Sequence, residues 1–318
     1  MNDPHRSDGG DRREPRADRE PPAEPAPDRV VGREPPPAEP GAAAPDAAGE
    51  PAHFAEPTSE EFAVWDPGYV PPDPDEPPPV ELWRAVGGVT PWGTMLVLFP
   101  CAAMFLLLAW RHALGGDDSL YVWGANATHL DAAGTSWRLL ASTFLHSGTA
   151  HLFFNATTLL IFGPAVERLF TRHAFWIVYT VGGALASLAS LGWRDLRSAG
   201  ASYSVGASGA IFALAGALLV AAFRLRKRLA VGRARSLGAA ILYLAGTGFA
   251  AGFAQHGTDN AAHAGGMVSG ALIGAVLSLH PRLGGRGAGG ATRIAAIVCG
   301  LALAASLAVA VRFGLRMP

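Results

Sequence analysis

The chain has 318 residues, 50% hydrophobic and 16% charged, with a formal net charge of −1. The near-neutral total is a cancellation, because residues 1–80 carry a net −12 and residues 81–318 a net +11. The first region also holds 20 of the 25 prolines, which excludes a packed core there, and the long apolar text of the second excludes an ordinary soluble domain.

Residues 1–85 read as a disordered, Pro- and acid-rich tail that cannot bury enough apolar surface to offset its ordering entropy. The runs Pro35-Pro36-Pro37 and Pro77-Pro78-Pro79 could dock a proline-binding groove, but a solvated spacer is the plainer reading. Phe54, Phe62 and Trp65 are the candidate anchors, and no partner is assigned to the tail.

From about residue 91, apolar runs of bilayer-crossing length alternate with short polar or basic stretches. The spacing predicts spans near 92–110, 149–166, 174–191, 205–223, 237–254, 261–279 and 294–311. Helices are expected, because backbone groups in lipid must be satisfied within the segment. Small residues recur every fourth position in the rows Gly209, Ala213, Ala217 and Gly266, Gly270, Gly274, where helices can approach closely. The fold class expected is therefore an all-α polytopic membrane protein. Cys101 and Cys299 lie inside apolar runs, so no structural disulfide is expected, and no CxxC or HExxH pattern supports a metal site or other cofactor.

Loops after even-numbered spans hold 11 Arg and Lys, against 6 after odd-numbered spans and at the C-terminal end. The positive-inside rule then places the tail in the cytoplasm and the C-terminus outside. The loop at 111–148 is long for a compact membrane protein, and its Tyr121, Trp123, Trp137 and Leu139 are expected at the membrane interface.

A polar side chain within a span is costly and marks a functional position by default. The polar residues singled out are His151, Asn155, Ser208, His263, Asn260 and Glu167; His151 and Asn155 open span two, Ser208 lies early in span four and His263 early in span six. Even-numbered spans run in one direction, so His151, Asn155, Ser208 and His263 fall in one layer near the outer face. Each has a bland reading too. A lone serine in an apolar helix ordinarily bonds the carbonyl one turn back, and Ser204 reads that way. His151 and Asn155 share a helix face and could simply bond a neighbouring helix. Glu167, beside Arg168, reads as a structural partner of the basic loop, and His129, His146 and His256 read as exposed loop histidines.

The chemistry that fits the layer is acyl transfer. A serine hydroxyl becomes a nucleophile when an imidazole takes its proton, and the tetrahedral intermediate needs donors aimed at its oxyanion. Ser208 and His263 are the nucleophile and base expected, with His151, Asn155 and the Ser208 backbone N–H as donors. Gly206 and Gly209 flank the serine and are expected to let a substrate backbone come close. No Asp or Glu is expected in the layer, which predicts a Ser-His dyad.

Five motifs together resemble the rhomboid family. These are Gly206-Ala207-Ser208-Gly209 (GxSG), Ala262-His263 followed by Gly266 and Gly270 (AHxxGxxxG), and His151 with Asn155 (HxxxN). Trp137-Arg138 matches the WR pair of the long first loop, and Gly163 to Glu167 matches the GxxxE turn. The resemblance spans roughly residues 90–280 and implies a six-helix protease core, with residues 281–318 adding a basic loop and a seventh transmembrane helix. It also implies hydrolysis of transmembrane segments of other membrane proteins near the outer face, with Phe212 packed beside the imidazole of His263. The partners implied are the bilayer and transmembrane substrates, with no nucleic acid. The Ala-, Gly- and Arg-rich usage, with a single lysine, points to a GC-rich genome and a bacterial cell membrane.

The closest alternative is a rhomboid-like protein that binds membrane clients without cutting them; relatives of that kind usually lack the Ser or the His. A transporter would be expected to show repeats and polar residues at mid-membrane. A scaffold would depend on the tail.

Overall fold

The computed structural model describes residues 88–316, apart from 115–116, 129–135, 198–201, 228–230 and 255–257. The expected N-terminal tail, and His129 and His256, lie outside the described residues.

Seven long helices follow in order: α1 Trp92–Trp110, α2 Thr149–Leu169, α3 Arg172–Leu196, α4 Ser208–Leu225, α5 Val231–Ala254, α6 Asn260–Val276 and α7 Gly290–Gly314. All seven expected spans are present as helices. By length and composition, α1, α2, α3, α4 and α7 can cross a membrane. α6 is shorter, at 17 residues. α5 starts six residues before its expected span because Arg233 and Arg235 join the helix. Span four begins late, since Gly206 sits at φ +121°, which an α-helix cannot contain, and the helix opens only at Ser208.

The described part of the long first loop is folded. It holds a short helix Asp117–Val122, the strand β1 Asn126–Ala127, and a helical turn Arg138–Ala141 that runs into the 3₁₀ turn Ser142–Phe144. β1 pairs antiparallel with β2, Tyr203–Ser204, in the register Asn126↔Ser204 and Ala127↔Tyr203. Ser204 is thus a strand residue and not a transmembrane bystander. Trp123 is buried, at 2% exposure, which corrects the interfacial placement expected for it, whereas Tyr121 is partly exposed.

α4 is the central helix. It buries Ala210, Ala213, Leu214, Ala217 and Ala221 completely, and it packs against α2, α3, α5 and α6. The α6 row fits against α4 backbone: a Cβ on Gly266 would fall on the Gly209 carbonyl, one on Gly270 on the Ala213 carbonyl, and one on Gly274 2.8 Å from Ala217 Cα. Helices in lipid gain little from apolar burial alone, so this close approach supplies the dispersion contacts that hold the two together. Arg224, in the last turn of α4, donates to the carbonyls of Gly274 (3.2 Å) and Leu277 (2.6 Å), satisfying the C-terminal end of α6.

Glu167 differs from expectation. Its carboxylate faces α1, not the basic loop: Oε2 accepts from Gly93 N at 3.1 Å, and Oε1 accepts from Thr94 N at 2.8 Å and Thr94 Oγ1 at 2.7 Å. The first turn of a helix leaves its N–H groups without intrahelical acceptors, and a buried carboxylate supplies them here across 74 residues of sequence.

Candidate active site

The Gly206 turn is where the pieces meet. Its N–H donates to the Ser142 carbonyl at 2.9 Å, which ties the first loop to the chain entering α4. A Cβ on Gly206 would lie 2.7 Å from His151 Nε2 and 3.8 Å from Asn155 Nδ2, so the missing side chain makes room for α2. Two residues later Ser208 opens α4, where first-turn N–H groups are free of intrahelical acceptors and carry positive potential.

Ser208 Oγ lies 2.9 Å from His263 Nε2. His263 is buried at 4% exposure, one turn into α6. Phe212, one turn after the serine, stacks on the imidazole with centroids 4.2 Å apart, and Phe249 of α5 meets both rings edge-on. His151 Nδ1 is 3.1 Å from Ser147 Oγ, and Asn155 Nδ2 donates to the His151 carbonyl at 2.9 Å. The structure therefore brings Ser208, His263, His151, Asn155, Gly206 and Phe212 into one place. A small cleft beside the serine is lined by Ser142, Ser187, Ser204, Gly206, Ser208 and Ala262 among others.

Trp137 and Arg138 are not at the serine. They organise the first loop, where the Arg138 guanidinium lies over the Tyr121 and Trp137 rings and donates to the carbonyls of Tyr121 and Ala125. Gly209 serves the packing expected of its small-residue row, since a Cβ there would meet Ala186 Cβ at 2.8 Å.

Two further residues correct the sequence reading. His146 is fully buried, its ring 5.1 Å from that of His151 in an edge contact, and burial pushes its pKa down to about 3. An acid does stand at the edge of the layer: Asp259 caps α6, with Oδ1 accepting from Ala262 N at 2.9 Å and Oδ2 accepting from Ser190 Oγ. That carboxylate is engaged with the helix end, and His263 Nδ1 has no hydrogen-bond partner among the described residues. An Asp directly before an apolar helical run is an N-cap signal, so Asp259 could have been found in the sequence. Phe249 carried no such signal, since it is one apolar residue among many in its span.

The family model for the Rhomboid domain matches residues 133–280. The chain is 37% identical to Rhomboid protease GluP of Bacillus subtilis, over 58% of this chain and 34% of that protein. It is 31% identical to Rhomboid protease AarA of Providencia stuartii, over 58% of this chain and 72% of that protein. It is 36% identical to RHOMBOID-like protein 4 of Arabidopsis thaliana, over 46% of this chain and 36% of that protein. The match thus spans about a third of the length of two of these relatives and most of the third. With its apolar spans the chain is a multi-pass integral membrane protein. Its Rhomboid domain match and its similarity to AarA along most of that protein place the chain in the rhomboid family.

Proposed function

We propose that this protein is an intramembrane serine endopeptidase that hydrolyses transmembrane segments of other membrane proteins near the outer membrane face. The observation that carries this reading is the 2.9 Å approach of Ser208 Oγ to His263 Nε2 at the start of α4. Names of relatives such as Rhomboid protease GluP and Rhomboid protease AarA agree with it.

In this reading His263 Nε2 takes the Ser208 hydroxyl proton as Oγ attacks the scissile carbonyl carbon. The carbonyl electrons move onto oxygen, where the Ser208 N–H, the His151 imidazole and the Asn155 amide donate to the oxyanion. The intermediate collapses, the C–N bond breaks, and the imidazolium gives its proton to the leaving amine. Water, activated by the same imidazole, then hydrolyses the acyl-serine. Phe212 and Phe249 hold the imidazole ring, and Asp259 holds the helix that carries it. Basic residues in the even-numbered loops support a cytoplasmic N-terminus and an outer C-terminus, and the composition supports a bacterial cell membrane.

A fluorophosphonate probe, which reacts with an activated serine, tests the nucleophile in isolation from substrate choice. Mass spectrometry of the labelled protein should place the adduct on Ser208, with labelling lost in His263→Ala. Labelling that persists at full rate in His263→Ala would remove the imidazole from the mechanism.

A further inference from the structure

α7 lies against α3, burying Ala296, Cys299, Leu303, Ser306 and Ala310 on one face and leaving Ile294, Ile297, Val298 and Leu301 exposed on the other. Its last turn reaches the first loop. Phe313 stacks on Trp137 with ring centroids 5.6 Å apart and planes 8° from parallel. At the next residue, a Cβ on Gly314 would fall inside the indole of Trp123. The C-terminal turn of α7 is therefore seated on two tryptophans of the first loop, and Gly314 is bare because Trp123 occupies the space.

Both tryptophans lead directly to the serine. Trp137 precedes the turn Arg138–Ala141 and the 3₁₀ turn Ser142–Phe144, and the Ser142 carbonyl accepts the Gly206 N–H at 2.9 Å. Trp123 precedes Ala125, whose carbonyl accepts from Arg138 at 3.0 Å, and β1, whose Asn126 pairs with Ser204 of β2. Two routes, each of backbone hydrogen bonds and ring contacts, thus run from the end of α7 to the Gly206 turn. That turn holds φ +121° at Gly206, two residues before Ser208; glycine has many backbone states open to it, and the two ties select this one.

We propose that the last turn of α7 is a clamp for the nucleophile's turn, with Phe313 and Gly314 acting as positioning residues through Trp137 and Trp123. The clamp explains why a helix outside the six-helix core ends on the loop that borders the site. Its catalytic consequence rests on the serine protease reading; its mechanical consequence does not.

The test is amide hydrogen exchange on the full chain in detergent, together with the rate of Ser208 labelling by a fluorophosphonate. Compared are the unaltered protein, Phe313→Ala, Phe313→Tyr, which keeps the ring, and Gly314→Leu, which evicts Trp123. Losing a stacked aromatic pair shifts a local opening equilibrium by up to roughly tenfold. Exchange at 138–144 and 203–207 should rise by about that factor in Phe313→Ala and Gly314→Leu, while the interior of α4 stays protected. Ser208 labelling should slow in the same two variants, and Phe313→Tyr should retain both behaviours. Unchanged exchange at 203–207 would overturn the clamp, as would an equal rise throughout the chain. If exchange responds as stated but Ser208 is unreactive in every protein, the clamp stands and the protease reading falls.

Discussion

Phe212 lies flat on the imidazole of His263, with centroids 4.2 Å apart and planes 13° from parallel. The two side chains come from different helices, so the contact fixes ring orientation as well as helix packing. With Phe249 against the edge, the imidazole has little freedom to turn Nε2 away from Ser208. Phe212→Ala should therefore lower kcat by roughly 10- to 100-fold, as small misplacements of reacting groups do. KM should change little and Phe212→Tyr should restore most of the rate. A Phe212→Ala enzyme with an unaltered kcat would show that the stacking is packing alone.

Glu167 is fully buried and accepts three hydrogen bonds from the first turn of α1. Glu167→Ala would leave buried donors unpaired, a loss of about 3 kcal/mol or more. The expected result is a clear fall in melting temperature in detergent, with Ser208 labelling retained in the fraction that stays folded at low temperature. Thr94→Val removes one of the three donors and should cost less than Glu167→Ala.

His146 gives a pH dependence of defined sign. Burial, and secondarily the His151 charge, hold its pKa down at about 3, whereas an unfolded chain takes up a proton near pH 6.5. Between those values the unfolded state binds the extra proton, so this residue makes stability fall as pH drops from about 6.5 towards 3. His146→Phe cannot titrate and should show a shallower loss of melting temperature over that window. Parallel pH profiles for the two proteins would contradict this account of the residue.

The helices were legible because lipid imposes one rule on every span, and the small-residue rows announced which faces meet. The candidate site was legible for a related reason. His151, Asn155, Ser208 and His263 interrupt apolar text where a polar group is expensive, and they share a layer because alternate spans run in one direction. Residues whose role is set by distant partners were not legible. The partners of Glu167 lie 73 and 74 residues away, so proximity to Arg168 misled. His146 sits in a polar loop stretch that reads as exposed, yet it is fully buried with its ring against His151 of α2. Gly314 illustrates the same limit, because a glycine's purpose depends on which neighbour would collide with its Cβ.

The most direct test of the central claim is cleavage of a single-span reporter protein in liposomes, with Ser208→Ala as the paired control. The account predicts that the unaltered protein cuts the reporter within its transmembrane segment near the outer face, and that Ser208→Ala, correctly folded, does not cut. Equal cutting by both proteins would contradict it.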